Sequence, residues 1–222
     1  MPHKFFLYSA VLLSLLLGPL SFAVCPLKNG DLIFIKSQSS QAKLLRLVTN
    51  SEWTHVGIVY KNDGRWQAIE AISPVKWSSL HSFIARSTML SFEVRRPNFT
   101  FNAEAVKEYA EQKLGEDYDL IFAWDDDRWY CSELVYKTYL AATQQALGTL
   151  ERIEELAVND PSVLKEIKRR YAEYGLPFAE DIWRKSEVIT PINMMNSKKL
   201  IKISNERKTI GLMDCLLSDS GE

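Results

Sequence analysis

Trp129-Tyr130-Cys131-Ser132-Glu133-Leu134-Val135-Tyr136 is the stretch around which the rest of the chain is organised. Counting from Cys131, the positions three, four, seven and eleven residues on are Leu134, Val135, Thr138 and Ala142. That spacing predicts a helix with the thiol on the stripe facing the core. Asp125, Asp126 and Asp127 come just before it and suit a turn on the approach to a helix start. A thiol in a first helical turn lies near unpaired backbone N–H groups and the positive end of the helix dipole, which favour a thiolate. Taken alone, a buried cysteine is a small inert hydrophobe. A catalytic one needs a base.

The base is sought towards the N-terminus. Trp53-Thr54-His55-Val56-Gly57-Ile58-Val59-Tyr60 reads as a strand with His55, Gly57 and Val59 on one face and Val56, Ile58 and Tyr60 on the other. Asn62-Asp63-Gly64 is a hairpin signal. The following strand, Trp66 to Ile72, puts Trp66, Ala68, Glu70 and Ile72 on a common face. Pairing about so short a turn can set His55 beside Glu70, although the register is not fixed by sequence. A cysteine attacking an acyl carbon needs a histidine to take its proton, and that histidine needs a third group to set its tautomer. Of the other histidines, His3 lies in an apolar leader and His81 follows a serine-rich turn, so His55 is the better base. Singly, a strand histidine is a structural hydrogen-bonding group and a strand glutamate a solvated one; the combination with Cys131 carries the reading.

The remaining chain supplies a frame. Lys28-Asn29-Gly30-Asp31 is a turn before the apolar strand Leu32 to Ile35. Residues 37–50 read as a polar turn and a short helix with Leu44, Leu45, Leu47 and Val48 as apolar members. Ser73-Pro74 breaks the third strand, 76–87 is irregular or briefly helical, and Ser91 to Arg95 is a further strand ended by Pro97. Asn102 caps a helix predicted from Ala103 to Leu114, with Glu104 in its first turn and Gly115 closing it. Residues 144–175 read as a charge-laced helical region interrupted at Asp160-Pro161 that packs beside the core. Thr190 and Pro191 open a short segment, and Leu200 to Ile203 adds an edge strand. The fold class is α+β: a small antiparallel sheet or half-barrel packed on the helix that carries Cys131.

At 222 residues the chain suits one domain with a full core. Its net charge of −1 leaves no electrostatic footprint for nucleic acid and no polybasic membrane signal. Lys4 and the apolar run Phe5 to Leu17 precede Ser21-Phe22-Ala23, which predicts a signal peptide over 1–23 cleaved after Ala23. The run is short for a bilayer span. A lipoprotein acylated at Cys25 is disfavoured by Val24, where that site wants a small residue. The expectation is therefore an exported protein, periplasmic or secreted, with one hydrolase domain over 24–222: a core about 28–140, a helical addition about 143–185 and a C-terminal segment 186–222. Chain termini tend to lie close in space, so an oxidising compartment allows a Cys25–Cys215 disulfide and leaves Cys131 free; the alternative is two unpaired cysteines in loose tails. No zinc-ligand spacing, calcium loop or phosphate-cradling glycine loop is present, and no cofactor is expected.

Taken in order, several segments resemble one family. They are Gly30-Asp31 with its strand, Thr54-His55-Val56-Gly57, Glu70-Ala71, Gly115 through Tyr118-Asp119, and Tyr130-Cys131-Ser132-Glu133-Leu134-Val135. The set resembles the YiiX-like family of permuted NlpC-type, papain-fold cysteine hydrolases, over roughly residues 28–140 and more weakly beyond. The resemblance implies a circularly permuted papain-like fold, in which His precedes Cys. It implies Cys131 as nucleophile, His55 as general base and Glu70 as the group that orients it. Backbone N–H groups at the start of the Cys131 helix would stabilise the oxyanion. The aromatic neighbours Trp53, Tyr118 and Tyr130 are expected to contact substrate, with Tyr118 and Trp124 also readable as core. Peptidases, amidases, lipid acyl hydrolases and acyltransferases all occur among such relatives. The expected partner is therefore a small-molecule, peptide or lipid-derived amide or ester. The competing reading is an exported, non-enzymatic binding module keeping a papain-like pocket; retention of all three chemical residues argues against it.

Overall fold

A computed structural model describes residues 25–203, so the leader over 1–23 and Cys215 lie outside the described residues. The apolar run Leu32 to Ile35 forms the middle of β1 (Asp31–Ser37), and β1 is a central strand. It pairs antiparallel with β2 (His55–Asn62) on one side, in the register Ile33↔Gly57 and Ile35↔His55. β3 (Arg65–Glu70) follows β2 across the hairpin, where Asp63 and Gly64 take the positive φ values that such a turn requires. β4 (Lys76–Ser79) pairs with β3, and β5 (Ser87–Pro97) lies on the other side of β1. β6 (Glu151–Arg152) and β7 (Glu187–Val188) form a separate antiparallel pair, and β8 (Leu200–Lys202) closes the main sheet along β5. The six strands run in the order β4-β3-β2-β1-β5-β8.

Both faces of this sheet are covered, which explains an unbroken apolar run where a half-exposed strand would alternate with polar residues. Leu32 and Phe34 join the larger core with Val56, Ile58 and Tyr60. Ile33 and Ile35 join a smaller one with Val59, Trp66, Ala68, Phe83 and Val94. Among the described residues, six helices lie before residue 186: α1 (Ser40–Thr49), α2 (Leu80–Ala85), α3 (Ala103–Glu111), α4 (Cys131–Thr143), α5 (Pro161–Glu173) and α6 (Glu180–Lys185). α7 (Pro191–Met195) follows, with the Thr190 side chain accepting from Asn193 N–H as its cap. α4 packs on the larger core through Cys131, Leu134, Val135 and Tyr139, and Thr138 is also fully buried.

Several boundaries depart from the sequence expectation. Residues 76–87 hold a strand and a helix, because Ser79 accepts from Ser82 N–H and caps α2 immediately after β4. The strand expected over Ser91 to Arg95 begins four residues earlier, with Met89 and Leu90 both in the left-handed region where the ladder bulges. α3 ends at Glu111, a turn short of Leu114, which is exposed. Leu47 faces outward from α1 while Leu44, Leu45 and Val48 are buried. Asp160-Pro161 starts a helix where an interruption was expected. Asp160 accepts from Ser162 N–H and Pro161 occupies the first turn, where its missing N–H costs nothing. The segment before it, expected to be helical, is loop apart from the short strand β6 and a 3-10 turn over Ile153–Glu155.

The Gly30-Asp31 pair is structural. Gly30 has φ +86°, and a Cβ there would sit 2.6 Å from the Phe101 ring. Asp31 is buried and takes a bidentate pair from Arg96, with Nε to Oδ1 and Nη2 to Oδ2 both at 2.7 Å. Cys25 is disulfide-bonded, and Cys131 is free and buried.

Candidate active site

His55 opens β2 and Glu70 closes β3. Extending the Ile58↔Ile69 register by one step puts Gly57 opposite Glu70, so His55 and Glu70 are diagonal neighbours on one face. Their side chains meet, with His55 Nε2 2.5 Å from Glu70 Oε2. Glu70 is fully buried and His55 is 7% exposed. Gly57 makes room beneath them: a Cβ there would lie 3.0 Å from Phe83. Phe83 stacks on the imidazole, with ring centroids 5.2 Å apart. Phe83 comes from α2, so the Ser79-capped helix that interrupts the 76–87 segment fixes the plane of the imidazole.

Cys131 enters from the opposite layer as the first residue of α4, with Tyr130 at the N-cap. As first helical residue its backbone N–H has no intrahelical acceptor. With Nε2 committed to Glu70, the other ring nitrogen of His55 is left for the sulfur, which interacts with the ring strongly enough to raise its pKa. Burial by itself pushes the imidazole pKa down. The Cys131 sulfur and the Glu70 carboxylate outweigh it and hold the ring up at about 9. Burial likewise pushes the Glu70 carboxyl up, but hydrogen bonding to His55 and the charges of His55 and Arg86 bring it below the ordinary range. The result is a chain of interacting groups, sulfur to imidazole to carboxylate.

That chain has a fourth member that the sequence reading missed. Arg86 Nη2 lies 2.5 Å from Glu70 Oε1, so each carboxylate oxygen has its own partner. Arg86 ends α2, and its guanidinium carbon is 5.4 Å from the Phe83 ring. No local pattern marks it; the one hint is a cation directly after the apolar helix Leu80–Ala85. Glu133, in the first turn of α4, accepts from Tyr130 N–H at 3.4 Å and pairs with Lys137 at 2.8 Å. Burial pushes the Glu133 carboxyl up to about 8, against the opposing pull of Lys137.

His55 and Arg86 line a cleft of about 700 Å³ together with Thr54, Tyr118, Arg128 and Tyr174, among others. Cys131 is 2% exposed and borders instead a small hollow of about 40 Å³ walled by residues such as Leu45, Phe122 and Ile189. The reacting pair thus sits between cleft and hollow. Of the three aromatics expected at the substrate, Tyr118 does line the cleft, and burial together with the Cys131 charge raises its phenol pKa. Trp53 and Tyr130 do not line it. Trp53 packs on the larger core under Lys36, and the Tyr130 hydroxyl accepts from Ile189 N–H at 3.2 Å inside the protein. Trp124 packs edge-on against Tyr136.

The helical addition contributes to the cleft as well as packing beside the core. Tyr174, at the end of α5, donates from its hydroxyl to Tyr118 O and accepts from Leu120 N–H, both at 3.2 Å. Arg170, almost fully buried, donates to Leu120 O at 2.8 Å. Together they tie down the segment that carries Tyr118.

A buried cysteine at a helix start, a histidine on a facing strand and an orienting glutamate form the arrangement of papain-like hydrolases, here with histidine first in the chain. The model of the permuted papain-like amidase enzymes, the YaeF/YiiX, C92 family, matches residues 26–204. The chain belongs to this family. Its similarity extends to the uncharacterized protein YiiX of Escherichia coli (strain K12), at 32% identity over 199 residues, 88% of this chain and 95% of that protein. The crystal structure of YiiX from Escherichia coli O157:H7, described as a metalloprotein, superposes with a TM-score of 0.72 at 30% identity, covering 81% of this chain and 97% of that one. The family match spans the main sheet, the α4 helix and the α5–α7 addition, well beyond the motif-bearing core around 28–140.

Proposed function

We propose that this protein is an exported amidase that works through an acyl-enzyme on Cys131. His55 takes the Cys131 proton, and the thiolate attacks the carbonyl carbon of an amide. The resulting oxyanion is met by the free N–H of Cys131 at the start of α4. The imidazolium gives its proton to the leaving nitrogen as the C–N bond breaks. Water then attacks the thioester with His55 as base, releasing the acid and restoring the thiol. Glu70 keeps the imidazole in the tautomer whose free nitrogen faces the sulfur, and Arg86 keeps Glu70 ionised and in place. The observation that carries this reading is the His55–Glu70 contact at 2.5 Å between two buried residues, with the Cys131 sulfur raising the pKa of the same ring.

A cleft of about 700 Å³ has room for a small amide or a short peptide. The apolar hollow on the far side of Cys131 favours, as a second reading, a lipid-derived acyl group. At about 40 Å³ it admits a methyl-sized group, and a longer alkyl chain needs side chains to move. The YiiX structure is described as a metalloprotein. Among the described residues of this chain no three His, Cys, Asp or Glu side chains converge as ligands, and each step above uses side chains and backbone N–H groups of the chain itself. Export rests on the leader sequence and accords with the disulfide at Cys25.

The test is acyl-enzyme trapping with an activated short-chain acyl ester, read by mass spectrometry on wild type, Cys131→Ala and His55→Ala. A mass increase of one acyl group that maps to Cys131 and is lost in both variants supports the mechanism. Iodoacetamide labelling of Cys131 that neither begins below its ordinary thiol range of about 8.5 nor depends on His55 would leave a binding module as the better account.

A further inference from the structure

Arginines in this protein are generally matched to an acceptor. Arg86 is held by Glu70 at 2.5 Å, Arg96 by Asp31 at 2.7 Å, and Arg170 by Glu166 at 2.9 Å. Arg128 differs. It lines the same cleft as His55, three residues before Cys131, in the segment that leads to the N-cap of α4. Its guanidinium carbon lies 4.1 Å from the centroid of the Tyr174 ring, a stack that sets its plane. Tyr174 is itself pinned by its two hydroxyl hydrogen bonds to the Tyr118–Leu120 segment. Yet among the described residues Arg128 makes no ion pair, and its Nε is buried without an acceptor.

The nearby acids do not fill that role. Asp117 lines the cleft but is exposed and forms no ion pair with Arg128. Asp119 feels the charge from beyond ion-pair distance, and its Oδ1 is committed to Ile121 N–H at 2.8 Å. A half-buried guanidinium with its plane fixed and its buried Nε unmatched is costly in the free protein. That cost is offset when an anion enters the cleft, and the planar fork matches the two oxygens of a carboxylate.

We propose that Arg128 is the receptor for a carboxylate carried by the substrate, so that the cleft selects amides with an anionic group close to the scissile bond, such as N-acyl amino acids or peptides ending in a free α-carboxylate. Because this rests on the amidase reading, the test is built on binding as well as turnover. The Cys131→Ala protein is titrated by calorimetry with N-butyrylglycine, with its neutral glycinamide counterpart and with the matching aminomethylphosphonate. The carboxylate is expected to bind about 10- to 100-fold more tightly than the neutral amide, the range of a charge-assisted bidentate contact. Arg128→Gln is expected to erase that difference while leaving the affinity for the neutral compound unchanged. Arg128→Lys, which keeps the charge but loses the fork, is expected to retain part of it.

Equal affinities for carboxylate and neutral amide in the Arg128 protein overturn the proposal, as does an Arg128→Gln change that weakens both alike, which is the mark of a structural role. Tighter binding of the phosphonate than of the carboxylate overturns the carboxylate assignment. Discrimination that persists while the wild type hydrolyses neither amide supports the receptor and counts against the amidase reading alone.

Discussion

Replacing Glu70 by Gln keeps the side-chain shape and removes one of the two oxygens that the site uses. Glu70 accepts on both sides at once, with Oε2 facing His55 Nε2 and Oε1 facing Arg86 Nη2, each at 2.5 Å. A glutamine can accept on one side only. Its NH₂ cannot face the Arg86 guanidinium, which offers donors and no acceptor, so the amide oxygen stays with Arg86 and the NH₂ turns to His55. The imidazole must then accept at Nε2 and carry its hydrogen on Nδ1, the nitrogen that should receive the Cys131 proton. A triad locked in the wrong tautomer loses on the order of 10⁴ in kcat, and a fall of about 10³ to 10⁴ in kcat/KM is expected for Glu70→Gln. The same argument gives a less obvious outcome for the double variant. Removing the guanidinium in Arg86→Ala frees the amide to rotate and present its oxygen to His55. Glu70→Gln/Arg86→Ala is therefore expected to be roughly 10- to 100-fold more active than Glu70→Gln alone, short of wild type by the difference between a charge-assisted and a neutral hydrogen bond, about 1–2 kcal/mol. The assay is kcat/KM on a short acyl amide, with the iodoacetamide labelling rate of Cys131 as a substrate-independent companion and circular dichroism to show that each variant folds. A double variant no better than the single one refutes the tautomer argument. A Glu70→Gln enzyme within about fivefold of wild type refutes the role of Glu70 altogether.

With the His55 ring held up at about 9, the imidazolium is lost only as pH rises through that value. Hydrolysis of an amide, whose nitrogen must be protonated to leave, should fall above about pH 9, whereas cleavage of an activated ester should not; parallel pH profiles of the two substrates check this. Gly57→Ala would place a methyl 3.0 Å from Phe83 and 3.1 Å from Ile69 O. It should cost about 1–3 kcal/mol in urea denaturation and, by tilting the imidazole, lower kcat more than it raises KM. Burial pushes the Asp119 carboxyl up to about 6, against the unfolded value of 3.8. The folded state then binds the extra proton between those values, so this group's contribution to stability falls as pH rises from about 4 to 6. Asp119→Asn should be more stable than wild type by about 1–2 kcal/mol at pH 8 and lose that advantage near pH 4, as read by denaturant midpoints at the two pH values.

Much of this was written into short stretches of the chain. The Cys131 helix is legible because its apolar spacing and first-turn thiol are local properties, and Leu134, Val135 and Thr138 are indeed buried along it. The β2–β3 hairpin is legible from Asn62-Asp63-Gly64, and the period of two in each strand already put His55 and Glu70 on sides that could meet. What the chain alone could not supply was register and long-range placement. The diagonal contact of His55 with Glu70, the arrival of Arg86 on the second carboxylate oxygen, and the stacking of Arg128 on Tyr174, 46 residues further on, depend on packing between elements distant in sequence. The aromatics show the same division. Trp53 and Tyr130 are within two residues of His55 and Cys131 while Tyr118 is much further from either, yet side-chain direction sends Tyr118 to the cleft, Tyr130 inward to Ile189 and Trp53 onto the core. Local periodicity fixes which face a residue occupies, and tertiary packing decides what that face meets.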